Sequence, residues 1–232
     1  MSSRSYKFGA MSAVLGAVLL FAGTSLHPMQ ADPNDPVAAF SEYAADRHWV
    51  ASHLTQLAGV ALIVGALLVL ANELESGGRA GLPRIASGGA IASLTLTAVL
   101  QAVDGITLKV MVDAWAGAES SEKAGLFHAA FGVRQVEVGL ASVTSMFFGL
   151  TVTLYGITLW NSGHYPRWVA VLALLGGIPT LVGGVVMAYT GFSSLAMTVN
   201  MPASLLILVW VISVGALMWR RGTTVGGGLA TA

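Results

Sequence analysis

Residues 48–72 read HWVASHLTQLAGVALIVGALLVLAN and contain no Asp, Glu, Lys or Arg. A helix needs about 20 apolar residues to cross the roughly 30 Å of hydrocarbon in a bilayer. Four further stretches lack these charged residues, at 8–31, 85–103, 138–166 and 168–219. The last is too long for one helix, and Gly191, Asn200 and Pro202 interrupt it. The sequence therefore predicts an all-α bundle with six spans, near 8–26, 49–72, 85–108, 132–160, 167–189 and 199–219.

The composition also assigns the chain to integral membrane proteins. Of its 232 residues, 55% are hydrophobic and only 9% are charged, against roughly 25% charged in an ordinary soluble domain. This composition excludes a soluble fold and a disordered chain. The absence of cysteine removes disulfides, cysteine-based zinc sites and iron–sulfur clusters. The formal net charge is zero, so the lipid bilayer is the expected partner and nucleic acid is not.

The basic residues near the span ends predict the orientation. With six spans both termini lie on one side, and that side carries seven Lys and Arg residues: Arg4, Lys7, Arg79, Arg84, Arg167, Arg220 and Arg221. The other side carries four: Arg47, Lys109, Lys123 and Arg134. Cytoplasmic loops are enriched in Lys and Arg, so cytoplasmic termini are predicted. The first span also has the basic flank of a signal peptide, and cleavage there, which would leave five spans, stays open.

Polar residues cluster at the outer ends of the second, third and fourth predicted spans. His53 lies 19 residues from Asn72, and Asp104 lies 19 residues from Ile85, which is roughly 28 Å in each case. Charges near hydrocarbon are costly unless they are paired or face a wet interior. We therefore predict a network close to the outer surface, under the loop at 27–48 and its short surface helix near 37–43. Its members are His53, Gln56, Gln101, Asp104, Arg134, Gln135 and Glu137.

Several functions fit this network. The first is a pocket between the second, third and fourth spans that binds a small anionic or lipid-like ligand. The second is a membrane enzyme, with Asp104 and Glu137 as acid and base or with a divalent metal on His53, Asp104 and His128. The third is haem b held by His53 and His128. A structural subunit of a membrane complex or a homo-oligomer would need no site at all.

The remaining histidines are interpreted as boundary residues. His27, His48 and His164 have no partner at a fixed spacing in the sequence. Each lies beside the end of a predicted span, where a polar ring meets the lipid headgroups at little cost. No binding role is predicted for them.

Three segments carry a resemblance to a known family. They are LHPMQADPNDPVAAFSEYAADRHWVASHLTQLAGV at 26–60, LQAVDGITLKVMVDAWAGA at 100–118 and YPRWVAVLALLGG at 165–177. Together they resemble an uncharacterised family of bacterial multi-span membrane proteins of the actinobacterial type. The resemblance implies an all-helical bundle in the bacterial inner (plasma) membrane. It implies no activity, so no functional residue is transferred from it.

Overall fold

The chain forms eight α-helices and one π-helical segment within the described residues. The computed structural model describes residues 1–76 and 81–228, and Arg79, counted above among the basic residues beside the termini, lies outside them. The helices are α1 (Ser3–Leu26), α2 (Pro36–Ala45), α3 (Trp49–Ser76), α4 (Gly81–Gln101), α5 (Lys109–Gly117), α6 (Ser120–Ser162), α7 (Arg167–Thr190) and α8 (Ser194–Gly228). The π-helical segment Ala102–Leu108 joins α4 to α5 without a break.

The predicted fold class, an all-α bundle of six membrane-spanning helices, is confirmed. The described chain is 89% helical and contains no strand. Six helices are long and apolar enough to cross a bilayer, namely α1, α3, the continuous rod from α4 to α5, α6, α7 and α8. α6 has 43 residues, which is about 65 Å at 1.5 Å per residue. It therefore extends well beyond the hydrocarbon of a bilayer.

The six long helices pack as a ring in which each contacts the next along the chain. α1 contacts α3, α3 contacts α4, α4 contacts α6, and the order continues through α7 and α8 back to α1. Glycines bring the backbones together: a Cβ on Gly16 would lie 2.8 Å from the carbonyl oxygen of Gly59. A Cβ on Gly149 would lie 2.7 Å from that of Gly177. Small residues commonly allow membrane helices to approach in this way.

Tyr155 on α6 makes a hydrogen bond across the core to α3. Its hydroxyl donates to the carbonyl oxygen of Leu67 at 2.8 Å, and the residue is fully buried. We expect Tyr155→Phe to lower the free energy of unfolding by about 1 kcal/mol, the usual net value of such a bond. Titration of the purified protein with a denaturing detergent measures this value. Tyr189 is 87% exposed, so Tyr189→Phe is the control, and equal losses in both variants would contradict a stabilising core bond.

α2 packs against α5 and the beginning of α6, and these three elements form what we name the α2 end of the bundle. The Asp35 side chain caps α2 by accepting from the backbone N–H groups of Val37 and Ala38, both at 3.1 Å. At the other end of α2, Lys109 Nζ donates to the carbonyl oxygens of Tyr43 and Ala44 at 3.0 Å. A second hydrophobic core lies beneath α2 and comprises Ala39, Phe40, Tyr43, Trp49, Leu108, Val112, Trp115 and Ala130. Hydrogen bonds thus hold both ends of α2 in place over this second hydrophobic core.

The opposite end, named the terminal end, holds the described chain termini and a buried charge. Ser3 Oγ donates to the carbonyl oxygen of Gly222 at 2.6 Å, which places the start of α1 beside the last turns of α8. Glu73 of α3 is 8% exposed, accepts from the Tyr165 hydroxyl at 2.5 Å and pairs with Arg221 of α8. Burial, followed by the Glu73 carboxylate, raises the pKa of Tyr165. This cluster joins α3, the connection between α6 and α7, and α8. These segments are far apart in the sequence, so no local spacing predicts their contact.

Candidate functional site

Polar residues from three helices lie at one depth near the α2 end. His53 lies 23 residues before the last residue of α3, Asp104 lies 23 after the first residue of α4, and Glu137 lies 25 before the last residue of α6. At 1.5 Å per residue these distances from the terminal end are about 35–38 Å. This depth exceeds the hydrocarbon thickness of a bilayer, so charged groups can be tolerated here.

Asp104 lies within the π-helical segment, which the sequence did not predict. Short π-helical insertions in α-helices occur frequently at functional sites. Gly105 allows the segment to press against α3, because a Cβ at this position would lie 2.5 Å from the Cβ of His53. Trp49 Nε1 donates to the backbone carbonyl of Asp104 at 3.0 Å. A glycine alone does not predict this change in geometry, because Gly88 and Gly89 lie within the regular helix α4.

His53 and Asp104 form the central pair of the site. His53 Nε2 lies 3.0 Å from Asp104 Oδ2, and His53 Nδ1 lies 2.7 Å from the carbonyl oxygen of Trp49. A carbonyl oxygen can only accept, so Nδ1 carries a hydrogen. If the His53 ring is neutral, its Nε2 carries no hydrogen, and the lone pair of Nε2 faces the carboxylate oxygen of Asp104. A proton or a metal cation is needed between these two atoms, because two acceptors do not attract each other.

His27 joins this pair from the turn that follows α1. Its ring centre lies 5.0 Å from that of His53 and 4.8 Å from that of Trp49. His27 Nδ1 lies 2.7 Å from the carbonyl oxygen of Pro28 and so carries a hydrogen by the same reasoning. Burial, followed by the nearby His53 ring, lowers the pKa of His27. The sequence interpretation treated His27 as a boundary residue, whereas the fold brings it beside two predicted site residues.

Arg134 and Glu137 form a buried ion pair one turn apart on α6. Arg134 Nη1 donates to both carboxylate oxygens of Glu137 at 2.6 Å. The two residues are 6% and 3% exposed. The guanidinium carbon lies 4.8 Å from the ring centre of Phe192 and 5.5 Å from that of Tyr43. Burial raises the pKa of Tyr43 to about 12, so its phenol stays neutral beside this pair.

Gln56 and Gln101 connect α3 to α4 just below these groups. Gln101 Nε2 donates to Gln56 Oε1 at 3.0 Å. Among the described residues no donor contacts Gln101 Oε1 or Asp104 Oδ1, although both atoms are buried. Buried acceptors normally have a partner. The site therefore contains two buried acceptor atoms without a donor among the described residues.

A cavity of about 820 Å³ opens beside these groups, within the range of about 300–1,000 Å³ that is usual for ligand sites. Six predicted residues line it, namely His53, Gln56, Gln101, Asp104, Arg134 and Glu137. Other polar groups in the lining are His27, Asp32, Asn34 and Glu42. Apolar groups in the lining are Met29, Leu100, Phe192, Met197 and Met201. The pocket was predicted between three spans, whereas the cavity also reaches the end of α1 and the start of α8.

Two predicted residues, Gln135 and His128, do not line the cavity and are exposed on α6. Successive residues of a helix are about 100° apart around its axis. Gln135 is therefore about 160° from Glu137, and His128 is about 180° from it. Neither side chain can share the face that carries Glu137. His27 occupies the place beside His53 and Asp104 that the prediction gave to His128.

Comparisons with protein-family models, with curated proteins and with solved structures found no match for this chain.

Proposed function

We propose that the chain is a multi-pass protein of the bacterial inner membrane that binds an amphipathic, lipid-like molecule in this cavity. The observation that carries the proposal is the lining, in which a buried cluster of ionisable groups adjoins apolar side chains within one space. The excess of Lys and Arg beside the termini supports cytoplasmic termini. With that orientation the α2 end and its cavity face the periplasm.

The depth of the two kinds of lining supports an amphipathic ligand. Leu100, at the end of α4, lies four residues before Asp104 toward the terminal end. Ala141 follows Glu137 by one turn of α6 in the same direction. Met201 lines the cavity and is also 49% exposed at the surface of the helix bundle. An acyl chain can therefore extend from the polar cluster past Met201 toward the surrounding lipid.

The charge of the lining indicates which polar group would bind. Four carboxylates line the cavity, on Asp32, Glu42, Asp104 and Glu137. Glu137 already takes the Nη1 donor of the Arg134 guanidinium. The charge of Asp104 is compensated by the proton or cation beside His53, so Asp32 and Glu42 give the lining its excess negative charge. An excess of carboxylates attracts a positively charged group and repels a purely anionic one. The lining therefore favours the lipid-like ligand of the sequence prediction, with a zwitterionic or cationic polar group, over a small anion.

A binding titration with a matched pair of tryptophan substitutions tests this proposal. We expect purified protein in detergent to bind a fluorescent phosphatidylethanolamine more tightly than the corresponding phosphatidylglycerol. Met201→Trp places a large ring in the cavity and should weaken binding of phosphatidylethanolamine at least about 10-fold, which is about 1.4 kcal/mol. Leu205 lies one turn further along α8, is 55% exposed and does not line the cavity. Leu205→Trp should therefore leave the affinity unchanged.

A second substitution tests the charge argument. Asp32 Oδ1 accepts from the Asn34 backbone N–H at 2.9 Å, and the side-chain oxygen of an asparagine would preserve this bond. Asp32→Asn should therefore keep the turn and reduce the preference for phosphatidylethanolamine over phosphatidylglycerol. Asp113→Asn, on an exposed residue outside the cavity, is the control. If the two tryptophan variants bind alike, or if phosphatidylglycerol binds more tightly, the proposal is wrong.

The other predicted functions have less support from these contacts. An acid–base enzyme that uses Asp104 and Glu137 as a pair needs both carboxylates free to exchange a proton, and both oxygens of Glu137 accept from Arg134. Haem b between His53 and His128 needs both rings to face the same space, and of these two histidines only His53 lines the cavity. Roles as a homo-oligomer or as a subunit of a membrane complex stay predictions.

A further inference from the structure

We propose that His27, His53 and Asp104 bind a divalent transition metal, with zinc favoured by the donor set. Each residue offers one ligand atom, and the three atoms lie within 4.8 Å of one another. Two imidazole nitrogens and one carboxylate oxygen, with a fourth position open, are a usual protein ligand set for reactive zinc. This site goes beyond the proposed function and does not rest on it, because a metal can bind here whether or not a lipid enters the cavity.

The distances suit a small cation. Ligand atoms at about 2.0–2.1 Å from a tetrahedral zinc lie roughly 3.3 Å from one another. His53 Nε2 and Asp104 Oδ2 are 3.0 Å apart, which is close to that separation before any metal enters. The ligand atom of His27 lies within 4.8 Å of the other two, and His27 belongs to no helix. A small movement of its ring therefore completes the set.

The hydrogen bonds of the two rings prepare them as ligands. Both Nδ1 atoms donate to backbone carbonyl oxygens, of Trp49 for His53 and of Pro28 for His27. Histidines that bind metals usually donate the other ring nitrogen in this way, which fixes the tautomer and orients the ring. Nε2 of each ring is then left as a lone pair. The same arrangement leaves the lone pair of His53 Nε2 facing the Asp104 carboxylate. A metal ion between these two groups would bind both and remove their mutual repulsion.

Asp104 supplies a further, independent indication. Its second carboxylate oxygen, Oδ1, is buried and has no hydrogen-bond partner among the described residues. A purely structural histidine–aspartate pair would leave this buried acceptor without a partner, which is uncommon in folded proteins. All three proposed ligands line the cavity. The fourth metal position therefore opens to that space, where water or the polar group of a bound molecule can occupy it.

Metal analysis of the purified protein tests the proposal. The chain is expressed with a purification tag that contains no histidine, stripped with a chelator, equilibrated with zinc chloride and passed over a sizing column. We expect one zinc per chain in the native protein. His27→Gln, His53→Gln and Asp104→Asn should each weaken zinc binding at least about 100-fold, because loss of even an outer partner of a ligand commonly costs about 10–100-fold.

Two exposed histidines provide matched controls. His48 and His128 lie at the same end of the bundle and outside the cavity lining, so His48→Gln and His128→Gln should retain zinc.

Replacing zinc with cobalt(II) should give the visible absorption of a four-coordinate ion in the native protein and not in His27→Gln. Because His27 lies in a turn, His27→Gln should keep its helical content even if the His53 variant does not fold. Less than 0.1 zinc per native chain, or full zinc in His27→Gln, overturns the proposal. Met201→Trp should retain zinc, so a failure of lipid binding remains distinguishable from a failure of the metal site.

Discussion

Arg134→Met is expected to lower the free energy of unfolding by about 3–5 kcal/mol, the largest effect of any single change considered. The reason is that Glu137 is 3% exposed and has both of its oxygens on the Arg134 guanidinium. Removing the arginine leaves a buried charge without compensation. Reversible unfolding of the purified protein in mixed detergent measures the change.

A double variant separates the ion pair from the packing of the arginine. Arg134→Met combined with Glu137→Met removes both charges, and replacing a whole buried pair with apolar residues is often neutral. The double variant should therefore recover most of the loss. The control is the pair of exposed Arg84 with half-buried Glu75, where Arg84→Met should cost at most about 1 kcal/mol. If the double variant is as unstable as Arg134→Met alone, the ion pair is not the source of the effect.

Gly105→Ala is expected to lower the free energy of unfolding by about 1–3 kcal/mol, the usual cost of overpacking. The added Cβ would lie 2.5 Å from the Cβ of His53. That atom is fixed to the backbone of α3, so α3 and the π-helical segment must separate. His53 then moves away from Asp104, and zinc binding should fall at least about 10-fold together with the stability.

A second glycine of the same rod is the matched control for this substitution. A Cβ on Gly88 in α4 would have no neighbour within 4 Å among the described residues. Alanine at an unobstructed helical position usually stabilises by about 0.4–1 kcal/mol. Gly88→Ala should therefore leave stability equal or slightly higher and zinc binding unchanged. If Gly105→Ala behaves as Gly88→Ala does, the close contact between the π-helical segment and α3 is contradicted.

The sequence predicted the fold and the depth of the site for the same physical reason. Hydrocarbon excludes Asp, Glu, Lys and Arg, so the charge-free stretches mark the spans. Counting 1.5 Å per residue along those spans places His53 and Asp104 at one depth, and the structure joins them at 3.0 Å. Arg134 and Glu137 are three residues apart, so their pairing was also available from helix geometry.

Features set by tertiary structure were not available from the sequence. The direction of the chain after α1 depends on how residues 28–34 fold against α2, where Glu42 accepts from the backbone N–H groups of Gln30 and Ala31 at 3.0 Å. That contact spans 11 and 12 positions and brings His27 over His53. The π-helical segment changes the direction of Asp104 without any change in hydrophobic periodicity. The pairing of Glu73 with Arg221 at the terminal end depends on the closure of the ring between α1 and α8.

Mapping of a bound lipid on the protein is the most direct measurement of the proposed binding site. A phosphatidylethanolamine with a photoreactive group near its headgroup is added to the purified protein, illuminated, and its attachment sites are found by peptide mass spectrometry. We predict attachment within the segments 27–34 and 192–201, which contain residues that line the cavity, and its loss in Met201→Trp. Attachment spread over outward residues of the spans, such as Leu15, Leu175 and Leu205, in proportion to their exposure would contradict a specific site.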